Sequence, residues 1–228
     1  MRICPPFLAV AAAIAVLFTA APNGSAQDSS IDKLLKKLPP PEKIVQADAA
    51  SQDPLARKIV EAIKSSNFGN AYAMSQKLAA RYPKSADAQS VHGQLALALK
   101  HYPQASNAFQ KSISLQPNNA FAYVGLALSE AAQDHVRTAM TNFRQVTRLD
   151  PKAEVGWIGL SACAERLGQK GESLNYARRA TSVAPSSFAA WLQLARAEGI
   201  SGNRKASASA LARANEIRRK SARAVRHS

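Results

Sequence analysis

Four histidines (His92, His101, His135 and His227) and two cysteines (Cys4 and Cys163) are the residues best suited to hold a metal or attack a substrate. Their spacing assembles neither chemistry. No two histidines stand four apart, the interval that puts two imidazoles on one helical face, and neither HExxH nor CxxC occurs. A cysteine nucleophile needs a base beside it, and the Ser-Ala-Cys-Ala-Glu context of Cys163 supplies none. Cys163 therefore reads as a small buried apolar residue. His92 reads as a partly buried packing residue, and His101 and His135 as solvated residues near turns. Gly168-Gln169-Lys170-Gly171 sets a lysine between glycines but lacks the GxxxxGK[ST] spacing of a phosphate loop. It reads instead as a tight helix–helix connection, as does Gly199-Ile200-Ser201-Gly202. No zinc-finger or RNA-binding signature is present. The expectation is a chain with no catalytic residues, no cofactor and no metal.

The elements that position these residues follow from a period. Pro83, Pro117, Pro151 and Pro185 are each separated by 34 residues, the length of a helix–turn–helix repeat. Numbering each unit from 1 to 34 with proline at 32, the units begin at Gln52, Ala86, Ala120, Glu154 and Phe188. Small residues recur at positions 8 and 20, where two antiparallel helices must approach: Gly93 with Ala105, Ala127 with Ala139, Ser161 with Ser173. Large residues at 4 and 24 (Tyr123, Trp157, Trp191, Phe109 and Phe143) are expected to fill the space between neighbouring pairs, which places both tryptophans largely inside. Proline at 32 ends the second helix.

With these residues in place, the chain resembles the tetratricopeptide repeat family over about residues 52–218. The Ala120 unit matches best, with Tyr123, Leu126, Ala127, Ala139, Phe143 and Pro151. The others depart in places: Gln89 replaces the large residue at 4, Ala177 the aromatic at 24, and Arg219 the closing proline of the Phe188 unit. The unit from Gln52 is the weakest, keeping Leu55, Ala71 and Pro83. Position 11, an aromatic in the family, holds Ala62, Ala96, Glu130, Ala164 and Glu198. The resemblance implies an all-α, right-handed superhelical solenoid of antiparallel helix pairs, about five repeats. One pair cannot bury its own apolar face, so stacked neighbours must supply the core.

Outside the repeats, composition changes. Phe7–Ala21 is apolar except for Thr19, and Gly24-Ser25-Ala26 has the small-x-small form that a signal peptidase accepts. Residues 1–26 are read as a signal peptide that carries Cys4 away, with an uncleaved N-terminal anchor as the alternative. Localisation in the periplasm or secretion follows. Residues 27–51 form a leader and proline-rich linker. In it Ile31–Leu38 is amphipathic and ends at Pro39-Pro40-Pro41, either as an unstructured leader or as a small partner-binding or capping element. A lone remaining cysteine allows no internal disulfide. The net charge is +15 with a pI near 10.2. Residues 204–228 contribute +7 of it, ending in a basic tail at 219–228.

Two surfaces are candidates for binding. Family ligands lie in the groove lined by first helices, so the resemblance implies contacts from Phe121, Val124, Leu128, Val155, Ile158, Leu192, Arg166 and Arg196. An apolar helix or extended segment of a partner would fit such a lining; the alternative is that tight superhelical curvature or dimer formation buries these side chains. The Lys/Asn clamp that some members use for acidic C-termini is absent, since Ser90, Gln94, Val124, Leu128, Ile158 and Ala162 occupy its places. The second surface is basic: Arg213, Arg218, Arg219, Lys220, Arg223 and Arg226. It reads either as a solubility cap or as a docking site for anionic lipid or polysaccharide. Nucleic acid is disfavoured, because no aromatic platform accompanies the charge and the leader directs the chain outward. The expected function is a non-enzymatic protein–protein interaction module or assembly scaffold of the cell envelope, with another envelope protein as partner. The alternative is docking to an anionic polymer or membrane through the C-terminal region.

Overall fold

The computed structural model describes the backbone of residues 49–226 and the side chains of residues 50–221. The segment read as a signal peptide, the Ile31–Leu38 segment, Cys4 and His227 lie outside the described residues. The chain forms two compact units, Met1–Asn142 and Phe143–Ser228, whose boundary falls inside a helix. The first contains α1 (Ala49–Gln52), α2 (Pro54–Lys64), α3 (Phe68–Arg81), α4 (Ala86–Ala98), α5 (Tyr102–Leu115), α6 (Ala120–Ala132) and the start of α7 (Val136–Leu149). The second contains the end of α7, then α8 (Glu154–Arg166), α9 (Lys170–Val183), α10 (Phe188–Ile200) and α11 (Arg204–Arg226). The described residues are all-α, and the helices pair into roughly five tetratricopeptide-like repeats, as the period requires.

Local chemistry sets the boundaries. Four first helices start at position 1 of the unit: Ala86, Ala120, Glu154 and Phe188. The residue before three of them caps the helix: Ser85 accepts from the amide of Ala88, Asn119 from Ala122 and Ser187 from Ala190. In the fourth place stands Ala153, which has no cap side chain to offer. The second helices of the first four units all run from position 17 to position 30. Between the paired helices, position 15 is left-handed in every repeat: Ser66, Lys100, Asp134, Gly168 and Gly202, with φ from 58° to 83°. The next amide bonds back to the carbonyl of position 11, from Asn67 to Ala62, His101 to Ala96, His135 to Glu130, Gln169 to Ala164 and Asn203 to Glu198, at 2.8–2.9 Å. Only glycine adopts that backbone without cost, so Gly168 and Gly202 fit it and the other three residues are strained there.

Packing within each unit depends on small residues. In the first unit α2 pairs with α3 and α4 with α5, α4 also touches α3 and α6, and α1 sits on α2 and α4. Ala71, Ala96, Ala105 and Ala122 are fully buried at the contacts. The Phe109 ring, also fully buried, lies between two glycines: ideal Cβ atoms would fall 3.1 Å from it on Gly93 and 2.2 Å from it on Gly125. In the second unit Phe143 lies against Gly159 in the same way, at 2.4 Å. There α8 pairs with α9 and α10 with α11, and α10 also meets α8 and α9. Ser161 and Ser173, at positions 8 and 20, touch through their hydroxyls at 3.1 Å, so the helices approach there as expected.

Trp157 and Trp191 are only half-buried, contrary to the expectation that position 4 lies inside. Each indole N–H donates to the carbonyl of the turn proline six residues earlier, Pro151 at 2.9 Å and Pro185 at 2.8 Å. The bond satisfies a donor that full burial would strand, and it holds the ring at the turn. The Arg179 guanidinium lies over the Trp157 ring, 5.6 Å from its centroid.

Candidate binding surfaces

The first helices carry the groove residues expected from the repeat, and the structure divides them. Val124 and Leu128 on α6 are each 4% exposed, and Val155 and Ile158 on α8 are each 8% exposed. Successive first helices touch directly, α4 with α6 and α8 with α10, and these side chains are used in packing. They leave little of their own surface open. Phe121 and Leu192 are half-buried, and Arg166 and Arg196 are exposed. In the first unit Phe121 packs edge-on against Phe109, with ring centroids 6.3 Å apart, and shares its cluster with the half-buried Leu97. Leu97 was not singled out from the sequence, although its position 12 is a groove position.

In the second unit the first helices are joined by a polar chain. The Gln193 amide on α10 donates to the Ser161 hydroxyl on α8 at 3.0 Å, and Ser161 donates to the Ser173 carbonyl on α9 at 2.8 Å. Above them Arg196 donates through Nε to Glu165 at 2.8 Å, and its terminal nitrogen lies 2.7 Å from the same oxygen. The face therefore combines Leu192, exposed cationic side chains and one carboxylate, over a buried network with defined partners. Such networks fix geometry because each group satisfies the next.

Position 11, unorthodox in sequence, is buried in every repeat, including Glu130 at 8% and Glu198 at 5% exposure. Both glutamates turn their carboxylates to the start of the following helix. Glu130 pairs with His135 Nδ1 at 2.8 Å. Glu198 accepts from Asn203 at 2.7 Å and from Arg178 at 3.0 Å. Burial pushes the Glu198 pKa up, but those hydrogen bonds outweigh it and the net shift is downward. These acids thus serve the fold. Glu154 is different. It is 9% exposed, one of its oxygens has no hydrogen-bond partner, and burial raises its pKa against the opposing bond from Ser187.

The remaining reactive groups also have packing roles. Cys163 is fully buried, and desolvation pushes its thiol up to about 12. His92 is half-buried, as read from the sequence. It stacks on Tyr72 at 5.1 Å, and its Nδ1 lies 3.2 Å from the Ser75 hydroxyl. Desolvation, and then the charge of Lys111, lower its pKa. His101 is exposed and also meets Tyr72, edge-on, with ring centroids 5.0 Å apart. Among the described residues, no three His, Cys, Asp or Glu side chains cluster as metal ligands would.

The basic residues of the last helix are also divided. Arg213 and Lys220 both bind Glu216, at 2.6 and 2.7 Å. Arg218 lies over the Phe188 ring at 5.7 Å. Arg219 is exposed, and the side chains of Arg223 and Arg226 lie outside the described residues. Helix α11 runs unbroken across the expected start of the tail at 219.

A tetratricopeptide repeat profile matches residues 86–119, one full unit in the register assigned above. No curated protein matches the chain in sequence. Solved structures share its fold at low identity. MamA from Desulfovibrio magneticus RS-1 is 15% identical with a TM-score of 0.66, covering 76% of this chain and 97% of that one. PilW, a widely conserved type IV pilus biogenesis factor, is 18% identical with a TM-score of 0.67, covering 75% and 79%. YrrB, a repeat protein with an unusual peptide-binding site, is 16% identical with a TM-score of 0.58, covering 78% and 91%. The described chain has the fold of tetratricopeptide repeat proteins, and its Ala86 unit matches the family's own repeat.

Proposed function

We propose that this protein is a non-enzymatic interaction module that holds a segment of another protein on its first helices. The observation that carries this reading is the α8–α10 face. Leu192 and Arg196 stand there beside a hydrogen-bonded network that joins the two helices, and Arg166 is exposed at the end of α8. A face of this kind offers an apolar anchor beside charged groups that set orientation. The likeness to YrrB, described by its peptide-binding site, and to PilW, an assembly factor, supports a segment-binding role over an enzymatic one. The test is capture of partners from an envelope extract on the wild-type chain and on Leu192→Asp and Arg196→Glu variants, with mass spectrometry of what is retained. A set of proteins lost from both variants is the expected result. An identical set on all three chains refutes this face as the site.

The same reading places the protein in the periplasm or outside the cell, after cleavage behind Ala26, with an envelope protein as its partner. The apolar run Phe7–Ala21 and the Gly24-Ser25-Ala26 site support it. N-terminal sequencing of the fractionated protein should begin at Gln27. A cytoplasmic form still beginning at Met1 overturns the placement.

A further inference from the structure

The positive charge follows the helix type. Among the described helices, the second helices of the repeats contain only two acids, Glu172 on α9 and Glu216 on α11. The first helices carry Glu61, Asp87, Glu130, Glu154, Glu165 and Glu198. The imbalance is strongest on α11, which is 23 residues long where the other second helices have 14. Arg218 lies over Phe188, the first residue of α10. The antiparallel partner therefore ends there, while α11 continues for eight more residues, about 12 Å at 1.5 Å per residue. That extension holds Arg219, Lys220, Arg223 and Arg226 and no acid.

The inner side of α11 is identified by Ala210 and Ala214, which are buried. Arg204, Lys205, Ala208, Ala212 and Arg219 are exposed, and Leu211 is 44% exposed beside them. None of Arg204, Lys205 and Arg219 has an acidic partner among the described residues. Leu211 occupies position 24, where Phe109, Phe143 and Ala177 are buried in earlier repeats. Among the described residues no helix lies over it.

We propose that the outward face and projecting end of α11 dock on an anionic phospholipid bilayer, a surface separate from the segment-binding face. Lysines and arginines along one helix attract anionic headgroups, and an exposed leucine among them can enter the headgroup region. A soluble polyanion would use the charge but gain nothing from Leu211. An export signal at Phe7–Ala21, as read from the sequence, would also bring the chain to a membrane during its synthesis. The basic residues do not contribute equally. Arg204, Lys205 and Arg219 carry the attraction together with the projecting end, whereas Arg213 and Lys220 are held by Glu216, which itself repels the bilayer.

The test is sedimentation of the purified full chain with vesicles of phosphatidylcholine alone and mixed with phosphatidylglycerol, at low and physiological salt. The readout is the excess affinity for the anionic vesicles. Changing Arg204, Lys205 and Arg219 together to Gln should weaken it roughly a hundred-fold, from about 1 kcal/mol per basic residue near a charged surface. Glu216→Gln should strengthen it about five-fold by the same rule. A helix that only faces water predicts no gain from that change. Unaltered far-UV circular dichroism shows that the variants fold. Equal affinity for the two vesicle types overturns the proposal, as does a triple variant that binds like wild type or a Glu216→Gln chain that binds no tighter. A chain that ignores both vesicles and binds duplex DNA or an acidic polysaccharide also overturns it.

Discussion

Replacing Gly125 by alanine sets two effects of opposite sign against each other. Gly125 is in the interior of α6, where alanine is favoured over glycine by about 0.8–1.0 kcal/mol. The added methyl would lie 2.2–2.5 Å from three atoms of the Phe109 ring, where ordinary contact begins near 3.4 Å. The ring must therefore move by about 1 Å or more, the shortfall against normal carbon–carbon separation. That movement is opposed, because the residue is fully buried and the ring also faces Gly93, where an ideal Cβ would fall 3.1 Å from it. Overpacking of a tight core costs about 1–3 kcal/mol, so the net result should be destabilisation by about 1 kcal/mol. Urea unfolding followed by circular dichroism measures it, with an unchanged slope showing that the same surface is exposed. In a Phe109→Leu background the smaller side chain leaves room, and the same alanine should become neutral or stabilising. The coupling between the two changes should be about 1 kcal/mol or more, as for residues in direct contact. Stabilisation by Gly125→Ala in the wild-type background, or equal effects in both backgrounds, would refute the inserted-ring account of repeat stacking.

Three further predictions concern strain, charge and reactivity. Lys100 holds a φ of 62° at the turn of its repeat, so Lys100→Gly should stabilise the chain by about 0.5–1 kcal/mol, and a loss in thermal or urea unfolding would contradict this. His92 has its pKa lowered in the fold, so the unfolded chain binds more protons below its ordinary value near 6.5. Stability should therefore be fully present above that pH and fall as the pH drops below it. His92→Leu should flatten that slope in urea titrations between about pH 5 and 7, and an unchanged slope would remove His92 as its source. Cys163, buried and pushed up to about 12, should resist alkylation at neutral pH in the native chain and react at once in denaturant. Rapid labelling of the native protein would contradict its burial.

The sequence by itself determined the repeat and its register. Helix starts at Ala86, Ala120 and Phe188, turns at Gly168 and Gly202, and the common length of the first four second helices follow from chemistry within a few residues. A serine or asparagine caps, a glycine takes the left-handed turn, and a proline stops the helix. The buried state of Cys163 and the packing role of His92 were legible for the same reason, since both lie on the inner side of a helix whose register was known. What only the tertiary structure decided is how much of each side chain is left for a partner. Val124, Leu128, Val155 and Ile158 sit at groove positions, yet direct contact between successive first helices leaves them buried. Trp157 and Trp191 sit at core positions, yet the turn carbonyls of Pro151 and Pro185 hold their indoles at the edge. Gly125 and Gly159 look unremarkable in the pattern until the Phe109 and Phe143 rings are placed against them. The charged residues of α11 were a single cluster in sequence, and Glu216 and Phe188 divided them. In each case the deciding neighbour lies on another helix or another turn of the same one. Exposure depends on those atoms, whereas helix ends depend on the adjoining backbone, and only the second is written within a few residues of the chain.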